Sequence, residues 1–215
     1  MIDSIVGRLR AIDRDQRGMT LVELMVTVAL MAVVATIFTS VLLSIQESVI
    51  RQQARSEIND QARLALEQMD REIRSGNVLY DPAAEPNATC AGKDCDPFFS
   101  LRVYTQANAP TRTPPQQCVQ WVIDGRQLFR RAWDVGAASS LSGWRMVAEG
   151  IVNREPSVNV PAFTLPSSGS KVLDIKLMLN SRFGSANAPR TVPMETSIAI
   201  RNEGTGDPCT PIPSS

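Results

Sequence analysis

Glu23 is the one ionisable side chain between Arg17 and Glu47. A solitary carboxylate among apolar residues either takes up a proton or pairs with a cation. At the centre of a bilayer it costs about 2.5–3.5 kcal/mol on insertion scales, so its presence calls for a partner. Just upstream stands the pair Gly18-Met19. Glycine has no side chain to obstruct a protease at the backbone. Cutting there would leave an ammonium at Met19, one helical turn from Glu23. In a bundle of packed subunits, that amine and a neighbour's carboxylate form one neutral unit. Such a pair is weaker evidence for stability than for register, so Glu23 is assigned to assembly.

Other chemistry is thin. The chain has no histidine, which excludes a Ser-His-Asp triad, a histidine metal cluster and a histidine general base. The 22 basic and 22 acidic side chains cancel, so the cationic excess of a nucleic-acid binder is absent. The four cysteines, Cys90, Cys95, Cys118 and Cys209, read as two disulfides on an exported body. Of the three possible connectivities, Cys90–Cys95 with Cys118–Cys209 is favoured, the second stapling the tail to a sheet. Zinc is disfavoured by the C-x4-C spacing. Asp94 and Asp96 beside Glu85 read as solvated loop charge rather than a calcium site. Asn87-Ala88-Thr89 fits a glycosylation sequon. No cofactor, metal or catalytic residue is expected.

The elements that must position these groups begin with an apolar run. Leu24 to Ile45 carries no charge, a length sufficient to cross a hydrocarbon core of about 30 Å. Arg8, Arg10, Arg14 and Arg17 precede it, which keeps residues 1–18 in the cytoplasm and the body outside. The run is too long for the apolar region of an ordinary secretory signal. No Pro or Gly interrupts Met19 to Ser75, so one helix of about 57 residues is expected, with Gly76 as its stop. Its second half is amphipathic: Ile58, Ala62, Ala65, Leu66, Met69 and Ile73 recur at steps of three and four.

Beyond a loop from Asp81 to Pro97 the pattern turns to period two. Phe99, Leu101 and Val103 alternate; Val119, Trp121 and Ile123 lead to the turn pair Asp124-Gly125 and a return from Leu128 to Trp133. Further strands are expected at Met146–Val152, around Leu173, Ile175, Leu177 and Leu179, and at Met194–Arg201. The fold class is α+β, a long helix on an antiparallel sheet of about four to six strands. Trp121, Trp133 and Trp144 read as core and edge residues, and Arg130-Arg131 as an exposed strand face.

The junction Asp15-Gln16-Arg17-Gly18-Met19-Thr20-Leu21-Val22-Glu23-Leu24-Met25 resembles the class III signal of type IV pilin-like proteins. The resemblance implies a membrane peptidase that cuts after Gly18 and methylates Met19, and a pilin-like fold. The major subunits of that family usually carry a Pro at the position of Ser40, which is missing here. The run Gln61–Arg74, the segments Gln120–Ile123 and Leu128–Arg131, and Thr196–Asn202 are similar to the minor pilin or pseudopilin J class. On this reading residues 1–18 are a removable leader, 19–46 a membrane and filament-core helix, 47–76 an amphipathic continuation and 77–215 a β-rich head.

The function implied is that of a structural subunit of a type IV pilus-like or type II secretion pseudopilus filament. Its implied partners are the prepilin peptidase, other pilins or pseudopilins and an assembly platform membrane protein. The alternative is an extracytoplasmic module on the same anchor that captures DNA or an exoprotein. After cutting, the chain would carry 18 basic and 19 acidic side chains, which argues against bulk DNA affinity.

Overall fold

The computed structural model describes residues 19–105, 116–135, 141–167, 169–180, 191–202, 204 and 207–209. The chain divides into two compact units, Met1–Ile50 and Arg51–Ser215. Helix α1 spans Leu21–Arg74, close to the expected Met19–Ser75.

In the first unit every described residue is exposed, Val22, Met31 and Phe38 among them. The helix is long and apolar enough to cross a membrane. Its hydroxyls are satisfied on its own backbone: Thr27 donates to Leu24 O at 2.9 Å, Thr36 to Ala32 O at 2.9 Å, Thr39 to Ala35 O at 2.8 Å and Ser40 to Ile37 O at 2.7 Å. These bonds let four polar side chains sit in an apolar setting without unmet donors.

In the second unit, α1 is followed by β1 (Gly76–Leu79), β2 (Ala88–Cys90), β3 (Lys93–Cys95), β4 (Ser100–Thr105), β5 (Gln117–Asp124), β6 (Gln127–Asp134), β7 (Arg145–Glu149), β8 (Phe163–Thr164), β9 (Val172–Leu179) and β10 (Val192–Ala199). All pairings are antiparallel. The expected single sheet is instead a five-stranded sheet, β1-β4-β5-β6-β7, a three-stranded sheet, β10-β9-β8, and the small hairpin β2-β3. That hairpin and β1 were not foreseen. Both are too short and too polar for a period-two pattern to emerge.

Ile58, Ala62, Ala65, Met69 and Ile73 are buried, and Leu66 packs against them, as the helical stripe requires. They meet Leu101, Val103, Val119, Trp121, Ile123 and Leu128 of the larger sheet, and Leu173, Ile175, Leu177 and Ile198 of the smaller one. Each fully buried Ile or Met side chain contributes about 1.5–3 kcal/mol. The two alanines lack bulk and let the helix approach closely.

Two glycines act differently from one another. Gly125 has φ +58° at the first central position of the β5–β6 turn, where a type II′ hairpin needs a positive φ. Gly76, the expected stop of α1, follows the helix end closely and is not among the positive-φ glycines. A Cβ there would lie 2.8 Å from Val103 Cγ1 and 2.9 Å from Ile73 O. It is needed for close approach of the helix end to β4.

The face of the larger sheet opposite the helix is also covered. Register places Arg102, Gln120 and Arg131 in one cross-strand row, with Tyr104, Cys118 and Trp133 in the next. All six are buried. One cover is the β2-β3 hairpin, closed by the Cys90–Cys95 disulfide and held by Trp144 Nε1, which donates to Cys90 O at 3.0 Å. The other is the tail, joined to β5 by the Cys118–Cys209 disulfide. Cys209 N donates to Tyr80 Oη at 2.9 Å.

These covers correct two sequence expectations. Glu85 is buried rather than solvated and accepts from Arg102 Nε at 2.7 Å. Burial raises its carboxyl above the usual range, with the Arg102 charge opposing. Arg131 is 1% exposed, lies between the rings of Trp133 and Trp144, and donates to Gln120 Oε1 at 2.9 Å. It is no exposed strand face.

The covers also predict an alkaline signature. Burial pushes the Tyr80 phenol up to about 12 and raises that of Tyr104, and these are the only two tyrosines. A group raised in the folded state contributes stability that is complete below its unfolded pKa of about 10 and lost as pH rises through about 12. Absorbance titration should therefore show Tyr80 still protonated at pH 10 while the protein is folded, with Tyr104 also titrating later than a free phenol. A step at pH 10 with the amplitude of both tyrosines would mean that the tail leaves Tyr80 open.

Candidate processing and assembly site

The helix start is built by its own sequence. Thr20 precedes α1, and its Oγ1 accepts from Glu23 N at 3.2 Å; Thr20 O accepts from Leu24 N at 3.1 Å. Thr20-x-x-Glu23 is thus the spacing of a capping box, in which an N-cap hydroxyl satisfies an orphan N–H three residues on. This spacing is local and is legible in the sequence itself. Glu23 is also the acid of the first turn, where a carboxylate offsets the positive end of the helix dipole by about 0.3–1 kcal/mol.

These local duties engage the Glu23 backbone and its charge, yet leave the carboxylate oxygens with no hydrogen-bond partner among the described residues. Met19 and Glu23 are both exposed. Gly18, the other half of the expected scissile bond, lies outside the described residues. An ammonium at Met19 would add positive charge to a helix end that is already positive. It would therefore favour a carboxylate nearby, in its own chain or in the next.

A second polar centre fixes the helix to the body. Glu72 is 2% exposed on α1. It accepts from Trp121 Nε1 at 3.0 Å, from Arg130 Nε at 2.9 Å and from Gln68 Nε2 at 3.0 Å. Arg130 faces the helix because adjacent strand residues point to opposite faces, and Arg131 therefore faces away. The Gln68 contact is an i,i+4 neighbour on the same helix, but the other two are not readable from sequence, since 49 and 58 residues separate Glu72 from Trp121 and Arg130.

The four cysteines are brought together in the two pairs already described, far from Met19 in sequence. Among the described residues no cluster of metal-ligating side chains occurs.

Residues 13–39 match the family model described as the prokaryotic N-terminal methylation motif. The matched segment contains Gly18, Met19, Thr20 and Glu23, and it supports a class III prepilin-type signal. No curated protein matches the chain.

Proposed function

We propose that this chain is a minor subunit of a type IV pilus-like or type II secretion pseudopilus filament. A prepilin peptidase cuts Gly18–Met19, removes residues 1–18 and methylates the amine of Met19. Residues 19–46 hold the subunit in the membrane with its head outside, then pass into the filament core, while the amphipathic stretch 47–76 leads into the head, 77–215. Glu23 pairs with the Met19 amine of an adjacent subunit and sets register. The chain is a substrate of enzymes and performs no catalysis. Other pilins and an assembly platform protein are its partners.

The observation that carries this reading is the placement of the methylation motif. It ends inside a helix whose described residues up to Ile50 are all exposed, and that same helix supplies the core stripe of an α+β body. Exposed apolar side chains over that length need lipid or other helices around them. The similarity of the body to the J class and the missing Pro at Ser40 favour a minor subunit.

Amino-terminal sequencing and mass spectrometry of the protein from peptidase-competent cells test the reading. A chain beginning with N-methylated Met19 is expected. An intact Met1 refutes processing.

A further inference from the structure

We propose that the free edge of β10 is a docking site for an extended polypeptide strand that carries a carboxylate. Sheet edges are templates for pairing, and proteins usually block them. In the second unit the others are occupied or short. The edge of β1 is met by Gly204 N, which donates to Asn77 O at 2.7 Å. At β7 the side chain of Gln61 accepts from Glu149 N at 3.1 Å. Strand β8 has two residues. Strand β10 has eight and, among the described residues, pairs on one side only, with β9.

The ladder fixes which groups face outward. Ile200 N donates to Lys171 O at 2.9 Å, toward β9. In an antiparallel pair bonded and unbonded positions alternate. Ile198, Thr196 and Met194 therefore also bond inward, whereas Pro193, Glu195, Ser197 and Ala199 turn their backbone groups to the open edge. Pro193 fits this assignment, since it has no N–H and loses nothing there. Its protection covers one position, and the N–H groups of Glu195, Ser197 and Ala199 remain as donors.

Between this strand and α1 runs a groove of about 420 Å³, lined by Arg63, Leu66, Glu67, Asp70, Arg71 and Thr196. Its charges select the occupant. Arg63 is paired with Glu67, and Asp70 with Arg74. Arg71 is exposed and in no ion pair among the described residues. An incoming strand adds backbone bonds to Glu195 and Ser197, and its alternate side chains face the helix. Apolar residues there meet Leu66, and an acid meets Arg71.

The test uses full-length mature protein in detergent micelles and a fluorescent blocked octapeptide, Val-Thr-Val-Thr-Glu-Thr-Val-Thr, with its Glu→Lys counterpart. The acidic peptide should bind more tightly, and it should slow exchange of the Glu195 and Ser197 amides. Ser197→Pro removes an outward N–H, as Pro193 already does, and should weaken binding about tenfold or more. Arg71→Glu should invert the preference between the two peptides. Arg71 also lies in the last helical turn, where a cation offsets the dipole, so stability is measured alongside. Failure of the wild type to bind either peptide, or binding that neither substitution changes, overturns the proposal. If Ser197→Pro alters the near-ultraviolet circular dichroism, the Arg71→Glu inversion alone decides.

Discussion

Replacing Glu23 with Gln should remove the protein from filaments while leaving the start of its helix intact. The substitution isolates one property. The Thr20 hydroxyl bonds the backbone N–H of residue 23, not its side chain, and Gln serves as well as Glu at that position of a capping box. The helix start and apolar surface are kept, and only the charge is lost.

On the proposed pairing of Glu23 with a neighbour's Met19 amine, removing one member of that buried ion pair costs about 3–5 kcal/mol, because the other is left uncompensated. At about 1.4 kcal/mol per factor of ten, incorporation should fall by about two to three and a half orders of magnitude. The measurement is the amount of subunit in sheared filaments relative to the membrane pool. Thr20→Ala is the matched control: it costs about 1 kcal/mol of capping, keeps the acid, and should leave most incorporation in place. If Gln at residue 23 is incorporated as well as Glu, the carboxylate has only its local role at the helix end, and the register argument fails.

The second large effect lies in the body. Glu72→Leu should destabilise it by about 3–5 kcal/mol, since the Arg130 guanidinium and the Trp121 indole would stay buried without their acceptor. Urea denaturation of the mature protein in detergent, followed by tryptophan fluorescence, reads this directly. The double variant Glu72→Leu with Arg130→Met should recover much of the loss, because no buried charge is then orphaned. A cost under about 1 kcal/mol for the single variant would mean that apolar packing alone holds α1 on the sheet.

These two carboxylates sit on the same helix, and their legibility differs for a physical reason. Glu23 stands out in sequence because its neighbours are all uncharged, so its context is local. Glu72 is one of three acids, with three arginines, in the charged run from Gln61 to Arg74, so its context does not mark it out. Only the crossing of α1 over β5 and β6 separates it from Glu67, which is exposed and paired with Arg63. The same contrast divides Arg130 from Arg131, read from sequence as one exposed pair. Neighbours in a strand face opposite ways, so one serves the helix and the other the covered outer face.

Properties with a short period or a fixed local spacing belonged to the sequence alone. These are the methylation motif, the exposed apolar length of α1, the stripe from Ile58 to Ile73, the β5–β6 hairpin and the alternation in β9. Each depends on residues within a few turns or pleats of one another. Tertiary structure decided whatever needs a distant partner: the division into two sheets, the burial of Glu85 and Arg131 beneath disulfide-closed covers, the close approach at Gly76 and the open edge of β10. Pairing and burial are settled by which surfaces meet, and a one-dimensional pattern does not encode that when the partners stand tens of residues apart.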